Sequence, residues 1–395
     1  MPTEPALRIA FLFNAQFHQI LHSLPIACAM AAGHAAAEVS ILAPTAAHFA
    51  FIARYLPPAA AGRLRFVDLG SPAWLRLYRA LSGDLAAGKK AMLAHNRALL
   101  AGFDALVVPE RTSAYVKELG LPGLQLVHTG HGAGDRERSF NPEIRKYDFV
   151  LLSGRKYEER LLAQGLIRPG HYAVAGYSKF DLLLDRPPPG SRRLFANDRP
   201  TVLYAPHFDP RVSSWPKLGP ALLEQALARP DYNLIFAPHV RLFDPVRWWK
   251  RLPFRRFAAA PNILVDLGSD RSVDMTYTNA ADVYAGDVSS QVYEFIARPR
   301  PCVFLNAHRA DWEKDPFYLC WRGGPVIEDV AAFPAALATA VDRFEHYRPE
   351  QEALFAHTFD LDRRPSAERA ADAIVAFLER GLDRGLDRGR STPGQ

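Results

Sequence analysis

The chain is short of cysteine: Cys28, Cys302 and Cys320 are spread over 395 residues. Their number is odd and no two stand close, which excludes a disulfide framework and a cysteine-based zinc site. They are expected to be reduced thiols in apolar surroundings. No stretch approaches the roughly 20 uninterrupted apolar residues that a membrane-spanning helix needs, and the N-terminus has no long apolar region ending at a small-residue cleavage site. The chain is therefore expected in the cytoplasm. A Walker-type glycine–lysine loop and a G-x-G-x-x-G fingerprint are both absent. His18 and His22 stand four apart on an expected helix, but Gln19 follows the first where a zincin carries glutamate. No other cluster of His, Cys, Asp and Glu has ligand spacing, so no metal and no bound cofactor is expected.

What is present is ordinary for a globular protein: 49% hydrophobic and 23% charged residues. The length is too great for one comfortable core and suits two domains. The net charge of +6 suits anionic partners such as nucleotides, phosphorylated polymers or a lipid surface.

Short β-branched or aromatic runs alternate with helical patterns. Arg8–Phe13, Glu38–Leu42, Leu64–Leu69, Asp104–Val108, Leu124–Val127 and Asp148–Leu152 read as strands, with helical periodicity over Gln16–Ala32 and Ala73–Leu100. This is βαβ order and predicts a parallel sheet. The Pro-, Gly- and charge-rich stretch from Asp185 to Arg193 predicts a boundary. Alternation then restarts with Thr201–Ala205, Tyr232–Ala237, Asn262–Val265, Asp282–Ala285 and Pro301–Leu305. The expected division is a Rossmann-like domain over 1–184, a linker over 185–200, a second such domain over 201–364, a C-terminal helix over 365–380 and a disordered tail over 381–395. Two doubly wound α/β domains facing a cleft follow, since such sheets bind ligands at the carboxyl ends of their strands.

Four turns carry candidate chemistry. Asp287, Ser289 and Ser290 lie in the turn between the strand ending at Ala285 and a helix, where helix N–H groups and serine hydroxyls suit a phosphate. The plain alternative for these residues is an N-cap. Glu294, two helical turns from Asp287, is placed to reach a ribose hydroxyl. His131 ends an apolar strand among glycines, with the access and near-neutral titration a general base needs; His128 and Gly132 are expected to support its loop. His207 and His239 both follow an apolar strand through Ala-Pro, which puts both imidazoles at one sheet edge, where each can donate to a pyrophosphate oxygen. Arg241, Arg247, Trp248, Trp249, Lys250 and Arg251 open a basic, aromatic stretch that runs to Phe257 and suits an anionic membrane surface as well as it suits a packed helix with solvated arginines. No nucleic-acid-binding fold accompanies it, and no nucleic-acid partner is expected.

Taken in order, His131-Gly132, the Gly176 to Leu183 segment with its Asp181-Leu182-Leu183, Tyr204-Ala205-Pro206, Pro238-His239, Asp287-x-Ser289-Ser290 and Ser366-x-Glu368-Arg369 resemble the CDP-glycerol glycerophosphotransferase family of teichoic-acid and capsule polymerase type. The resemblance covers roughly Val107 to the terminal helix. It implies a GT-B fold whose C-terminal helix crosses back, with His131 as catalytic histidine and His239 beside the donor diphosphate. It also implies that Ser289 and Ser290 hold phosphate, with Asp287 as the motif's aspartate and Glu294 as an acidic position late in that helix. Ser366, Glu368 and Arg369 would tie the last helix back. The sequence departs from the pattern in Gly130 for tryptophan, Ala237-Pro238 for lysine-leucine, Val288 for tyrosine and His207 for threonine.

The expected activity is transfer of a phospho-polyol, glycerol phosphate from CDP-glycerol, to a hydroxyl of a surface polysaccharide or glycolipid, with the protein peripheral on the inner face of the cytoplasmic membrane. The rivals are a GT-B glycosyltransferase or sugar-nucleotide epimerase, and a non-catalytic binding protein on the same fold.

Overall fold

The structure, a computed structural model, describes residues 7–84, 87–135, 140–184 and 194–390, the side chains of 382–390 excepted. It divides into two units: residues 1–131, 140–182 and 359–395 form one, and residues 132–139 and 183–358 the other.

Among the described residues the first unit holds seven strands: β1 (Leu7–Leu12), β2 (Ala37–Ala43), β3 (Arg65–Asp68), β4 (Ala105–Val108), β5 (Gln125–His128), β6 (Phe149–Leu152) and β7 (Tyr172–Val174). They form one parallel sheet in the order β3-β2-β1-β4-β5-β6-β7. β4 and β6 are apolar and buried throughout, as strands covered on both faces must be. The chain winds outward from β1 to β3, then crosses to β4 and winds the other way. Connections leaving β1 and β4 therefore diverge, and the carboxyl ends of these neighbours open a crevice.

The second unit repeats the plan with β8 (Thr201–Ala205), β9 (Asn233–Phe236), β10 (Ile263–Val265), β11 (Val283–Gly286), β12 (Cys302–Leu305) and β13 (Val326–Ile327). Their order is β10-β9-β8-β11-β12-β13, again parallel, with the reversal between β8 and β11. β8 and β9 pair from Thr201↔Asn233 to Tyr204↔Phe236, over a core that includes Val202, Tyr204, Leu234, Phe236 and Val303.

The structure departs from the expected elements where glycine or proline intervenes. Gln16–Ala32 is not one helix: a 3-10 turn, Phe17–His22, precedes the helix Leu24–Gly33. Pro25 has no N–H to continue the earlier turn. The Ala73–Leu100 pattern is broken between helices Ala73–Ser82 and Lys89–His95 by Gly83 and Gly88, whose φ values are 72° and 68°, and again at Asn96 before the helix Arg97–Leu100. The last helix runs from Ser366 to Arg390, ten residues past the expected end at Arg380. The expected linker overlaps residues 185–193, and the expected tail residues 391–395, which lie outside the described residues.

The last helix belongs to the first unit, and the contacts say why. Asp181 accepts the Ala367 N–H at 2.6 Å, a side-chain cap on one of the N–H groups a helix start leaves unpaired. Gly176, at φ 84°, has no room for a Cβ against Ser366 and the Asp360 carbonyl. Arg369 bonds the Val174 carbonyl at 3.2 Å and Asp360 at 2.8 Å. The Gly176–Leu183 and Ser366–Arg369 motifs are thus two halves of one joint.

Candidate active site

In the first unit the polar residues gather at the β1/β4 reversal. Gly130 and Gly132, at φ 70° and 84°, turn the chain sharply after β5 and carry His131 between them. Its Nδ1 lies 2.6 Å from the Pro109 carbonyl, one residue past β4. A carbonyl only accepts, so Nδ1 carries the proton and the Nε2 lone pair is the basic site. Burial holds the His131 pKa below the ordinary 6.5, against the opposing pull of the Pro109 carbonyl. The ring is therefore neutral and able to accept a proton at pH 7. The Gln19 amide donates to Nε2 at 3.3 Å. The rings of His18 and His22 stand 5.7 and 6.5 Å from that of His131. On a 3-10 turn they are rotated about a third of a turn apart rather than stacked. Burial, with Lys179 and His131 nearby, keeps His22 neutral.

His128 supports the loop. It is buried, stacks on Tyr147 at 4.7 Å, bonds the Val108 carbonyl at 3.2 Å and is pushed by burial to a pKa of about 3. Ser23 and Thr129 share a hydrogen bond of 2.6 Å that ties the loop to the helix start at Leu24. Asn14, just past β1, is fully buried with neither amide atom bonded among the described residues, and the Gln19 carbonyl oxygen is also without a partner. Orphaned polar groups at a sheet reversal mark a place where a ligand's hydroxyls can bond. Neither residue carries a motif, and sequence reasoning missed both.

In the second unit, His207 and His239 stand side by side beyond β8 and β9, with ring centroids 5.3 Å apart and the His239 N–H bonded to the Pro206 carbonyl at 2.9 Å. Each Nδ1 accepts the backbone N–H two residues on, from Asp209 at 2.9 Å and from Arg241 at 3.2 Å. Nδ1 is thereby the acceptor and the proton sits on Nε2, which makes both imidazoles donors. Phe208 stacks within 4.6 Å of both rings, and the Arg241 guanidinium lies 4.2 Å over it. Arg241 thus joins the histidines instead of the Trp248–Trp249 surface with which the sequence grouped it.

The Asp287–Ser290 turn divides its work differently from the expectation. Asp287 is fully buried and accepts the N–H groups of His207 at 2.7 Å and Ser214 at 2.9 Å. Burial pushes its carboxyl up to about 7, against the hydrogen bonds from Ser214 and His207. A buried carboxyl tied to these backbone groups builds the wall of the site and is no partner for an anion, which corrects its expected phosphate role. Ser289 accepts the Gln291 N–H at 3.2 Å, a side-chain N-cap on the helix Ser290–Phe295. Ser290 lies against the glycine loop: a Cβ on Gly132 would come within 2.9 Å of its hydroxyl, and one on Gly134 within 3.4 Å of its N–H. Asp135 anchors that loop. It is fully buried, takes the Tyr293 hydroxyl at 2.7 and 2.8 Å, and accepts the Cys320 N–H at 3.1 Å. Its role depends on partners more than 150 residues away in the chain, and no local pattern announces it.

Glu294 is buried and lines a small cavity of about 10 Å³ with Arg271, Ser272, Thr278 and Gln291. Gln291 donates to the Ser272 carbonyl at 3.2 Å, while the buried Ser272 hydroxyl has no partner among the described residues. Of the basic stretch, Phe254 and Phe257 are buried in the core, whereas Trp248 is 70% and Trp249 47% exposed. No described helix is long and apolar enough to cross a membrane.

The chain matches no family model and no curated protein. Solved structures do resemble it. The wall teichoic acid polymerase TagF superposes with a TM-score of 0.64 at 15% identity, over 96% of this chain and 90% of that one. MnaA of S. aureus, solved with UDP, gives 0.63 at 13%, over 95% and 97%. UDP-GlcNAc 2-epimerase of Neisseria meningitidis, bound to UDP-GlcNAc, gives 0.58 at 11%, over 95% and 100%. With its two parallel, doubly wound sheets, the chain has the GT-B-like α/β fold of these proteins.

Proposed function

We propose that the chain is a transferase of nucleotide-activated donors that moves a phospho-polyol, glycerol phosphate from CDP-glycerol, onto a hydroxyl of a surface polysaccharide or glycolipid. The observation that carries this reading is the opposite state of the histidines at the carboxyl edges of the two sheets: a basic Nε2 on His131, and Nε2–H donors on His207 and His239. Phosphoryl transfer is catalysed chiefly by positioning and by stabilising charge. An acceptor hydroxyl gives its proton to His131 Nε2 as its oxygen bonds the phosphorus of the glycerol phosphate. The bond from that phosphorus to the bridging oxygen breaks, and CMP leaves with the charge. His207 and His239 donate to the diphosphate oxygens, Ser289 and Ser290 lie at the start of one helix, and Glu294, further along that helix, takes a ribose hydroxyl. The exposed Trp248 and Trp249 with Arg247, Lys250 and Arg251 suit the inner face of the membrane, where such acceptors are built.

The test is CMP release by the purified protein from CDP-glycerol, beside a panel of CDP-, UDP- and GDP-sugars, with and without crude surface polysaccharide. Acceptor-stimulated CMP release that vanishes in His131→Ala is the expected result. The second reading is a sugar-nucleotide epimerase or glycosyltransferase, favoured by the likeness to the two proteins solved with UDP or UDP-GlcNAc. Turnover of a UDP-sugar with CDP-glycerol untouched would replace the first reading with the second, and silence on every donor would leave a binding protein.

A further inference from the structure

Gln19 sits on the basic nitrogen of His131. Its amide N–H reaches Nε2 at 3.3 Å, while its amide oxygen, in a residue only 6% exposed, has no partner among the described residues. Asn14 lies at the same sheet edge. Phe11 pairs with Val107, so two residues further on Phe13 comes level with Pro109, whose carbonyl holds His131 at Nδ1. Asn14 follows at once, fully buried, with neither amide atom bonded among the described residues. The segment that joins the two amides is pinned at both ends. The buried His48 donates from Nε2 to the Ala15 carbonyl at 2.9 Å and takes the Thr45 hydroxyl on Nδ1 at 2.7 Å. At the far end Ser23 shares its hydrogen bond with Thr129 in the His131 loop.

A buried amide with nothing to bond destabilises the fold that holds it, and an apolar side chain of the same size would serve that fold better. Such groups beside a base point to a ligand that supplies the missing bonds. They also bear on a competition at Nε2. A base that takes a proton from an acceptor hydroxyl can take one from water: the water oxygen then bonds the phosphorus, CMP leaves, and glycerol phosphate is lost to solution. Any group that reaches Nε2 must first displace the Gln19 N–H. A water that does so exchanges one hydrogen bond for another and leaves Asn14 as it was. A polyol that does so adds bonds from its neighbouring hydroxyls to the Gln19 oxygen and to both Asn14 groups, and selection is the difference between the two. We infer that Gln19 and Asn14 select the acceptor against water, Gln19 covering the basic nitrogen until a group with adjacent hydroxyls displaces it. The inference rests on His131 being the base of the proposed reaction, and it names the acceptor's chemistry: a terminus with hydroxyls on neighbouring carbons.

The experiment has two arms, both on the full chain. The first compares release of free glycerol phosphate from CDP-glycerol with transfer to crude surface polysaccharide. Gln19→Ala uncovers Nε2 and should raise the ratio of hydrolysis to transfer by about tenfold, the weight of one hydrogen bond. Asn14→Leu should raise the acceptor KM by a similar factor while melting no lower than the wild type, because it removes an unpaired buried amide at similar volume. The second arm needs no donor. The ring nitrogens of His131 are followed by NMR as glycerol is added, with 1-propanol as the single-hydroxyl control. In the wild type glycerol should shift them at concentrations about tenfold lower than 1-propanol, and Asn14→Leu should abolish that difference. If no donor is turned over, the proposed reaction fails and the second arm still decides the inference. An unchanged ratio in Gln19→Ala, an equal response to the two alcohols in the wild type, or an Asn14→Leu variant that melts lower with its acceptor KM intact would overturn it. Should either variant not fold, the wild-type comparison of the two alcohols stands alone as the deciding measurement.

Discussion

The two units are built on one plan and use histidine in opposite ways. At the reversal in the first sheet a backbone carbonyl, that of Pro109, takes the Nδ1 proton of His131 and leaves Nε2 basic. Beyond β8 and β9 in the second sheet, backbone N–H groups of Asp209 and Arg241 occupy Nδ1 of His207 and His239 and leave Nε2 as a donor. The side chain is the same and the chemistry is set by which backbone group the loop presents to the inner nitrogen. A ring whose Nδ1 accepts an N–H carries its proton on Nε2, so His207 and His239 present donors there. The contrast teaches that a base and two donors can be drawn from one residue type by the backbone group that meets Nδ1.

The sharpest way to break the comparison is to remove its members. His131→Ala should lower acceptor-stimulated CMP release by about 10²–10⁴-fold, the usual loss for a general base. His131→Gln should be as poor, because an amide has no basic lone pair. The donors should behave otherwise. His239→Ala or His207→Ala should weaken donor binding by about 10–100-fold, as expected for a hydrogen bond to a charged oxygen worth about 1.5–3 kcal/mol. His239→Gln should recover most of that, since its amide N–H can stand in for Nε2–H. Calorimetric titration of the donor onto each variant separates these cases. Equal losses for Ala and Gln at position 239 would remove the distinction between the units.

Asp287 sharpens the comparison on the stability side, because it holds the loop that presents His207. Asp287→Ala leaves the His207 and Ser214 N–H groups without their acceptor, a loss of about 2–6 kcal/mol at about 1–3 kcal/mol per buried group. Asp287→Asn keeps an acceptor and should lose less. The sign with pH follows from the raised pKa. The folded carboxyl titrates near 7, the unfolded one near 4. The native state is thus favoured while the group is protonated, and that contribution is lost as pH rises from about 4 through 7. Thermal melts at pH 5 and pH 8 should show the wild type losing ground to Asp287→Asn at the higher pH. Parallel behaviour of the two proteins would mean that the carboxyl is not held protonated by its burial.

Much of this arrangement was legible in the chain because its causes are local. β8 and β9 read as apolar runs closed by Ala-Pro-His, and the repeated phrase places His207 and His239 in register as soon as the strands pair. The doubly wound order follows from alternation of strands and helices. β7 and β13 went unread: three and two residues long, they are too short for periodicity to register. Asp135, Asn14 and Gln19 were illegible for another reason. Each is a single polar residue whose meaning is given by groups distant in sequence, such as Tyr293 and Cys320 for Asp135. Asp287 was placed at the right turn and given the wrong work, since sequence does not say which way a carboxyl faces. The tautomers of the three histidines belong to the same class, because a ring's proton is assigned by whichever backbone group reaches Nδ1.

The smallest expected effect tests the first unit alone. Because burial holds the His131 pKa below 6.5, the rate should rise with pH through a midpoint on the acid side of 6.5 and stay level through neutrality. Gln19 touches the basic nitrogen at 3.3 Å. Gln19→Glu would set a carboxylate there, favour the imidazolium and move the midpoint upward by about one unit. At pH 6.5 this is a loss of only a few fold, while at pH 8 the variant should match the wild type. Titration of the His131 ring by NMR reads the same shift without any substrate, and so holds whatever donor the protein uses. A His131 pKa that does not move in Gln19→Glu would mean that the amide does not sit on Nε2, and with it the claim that this nitrogen is the basic one would lose its support.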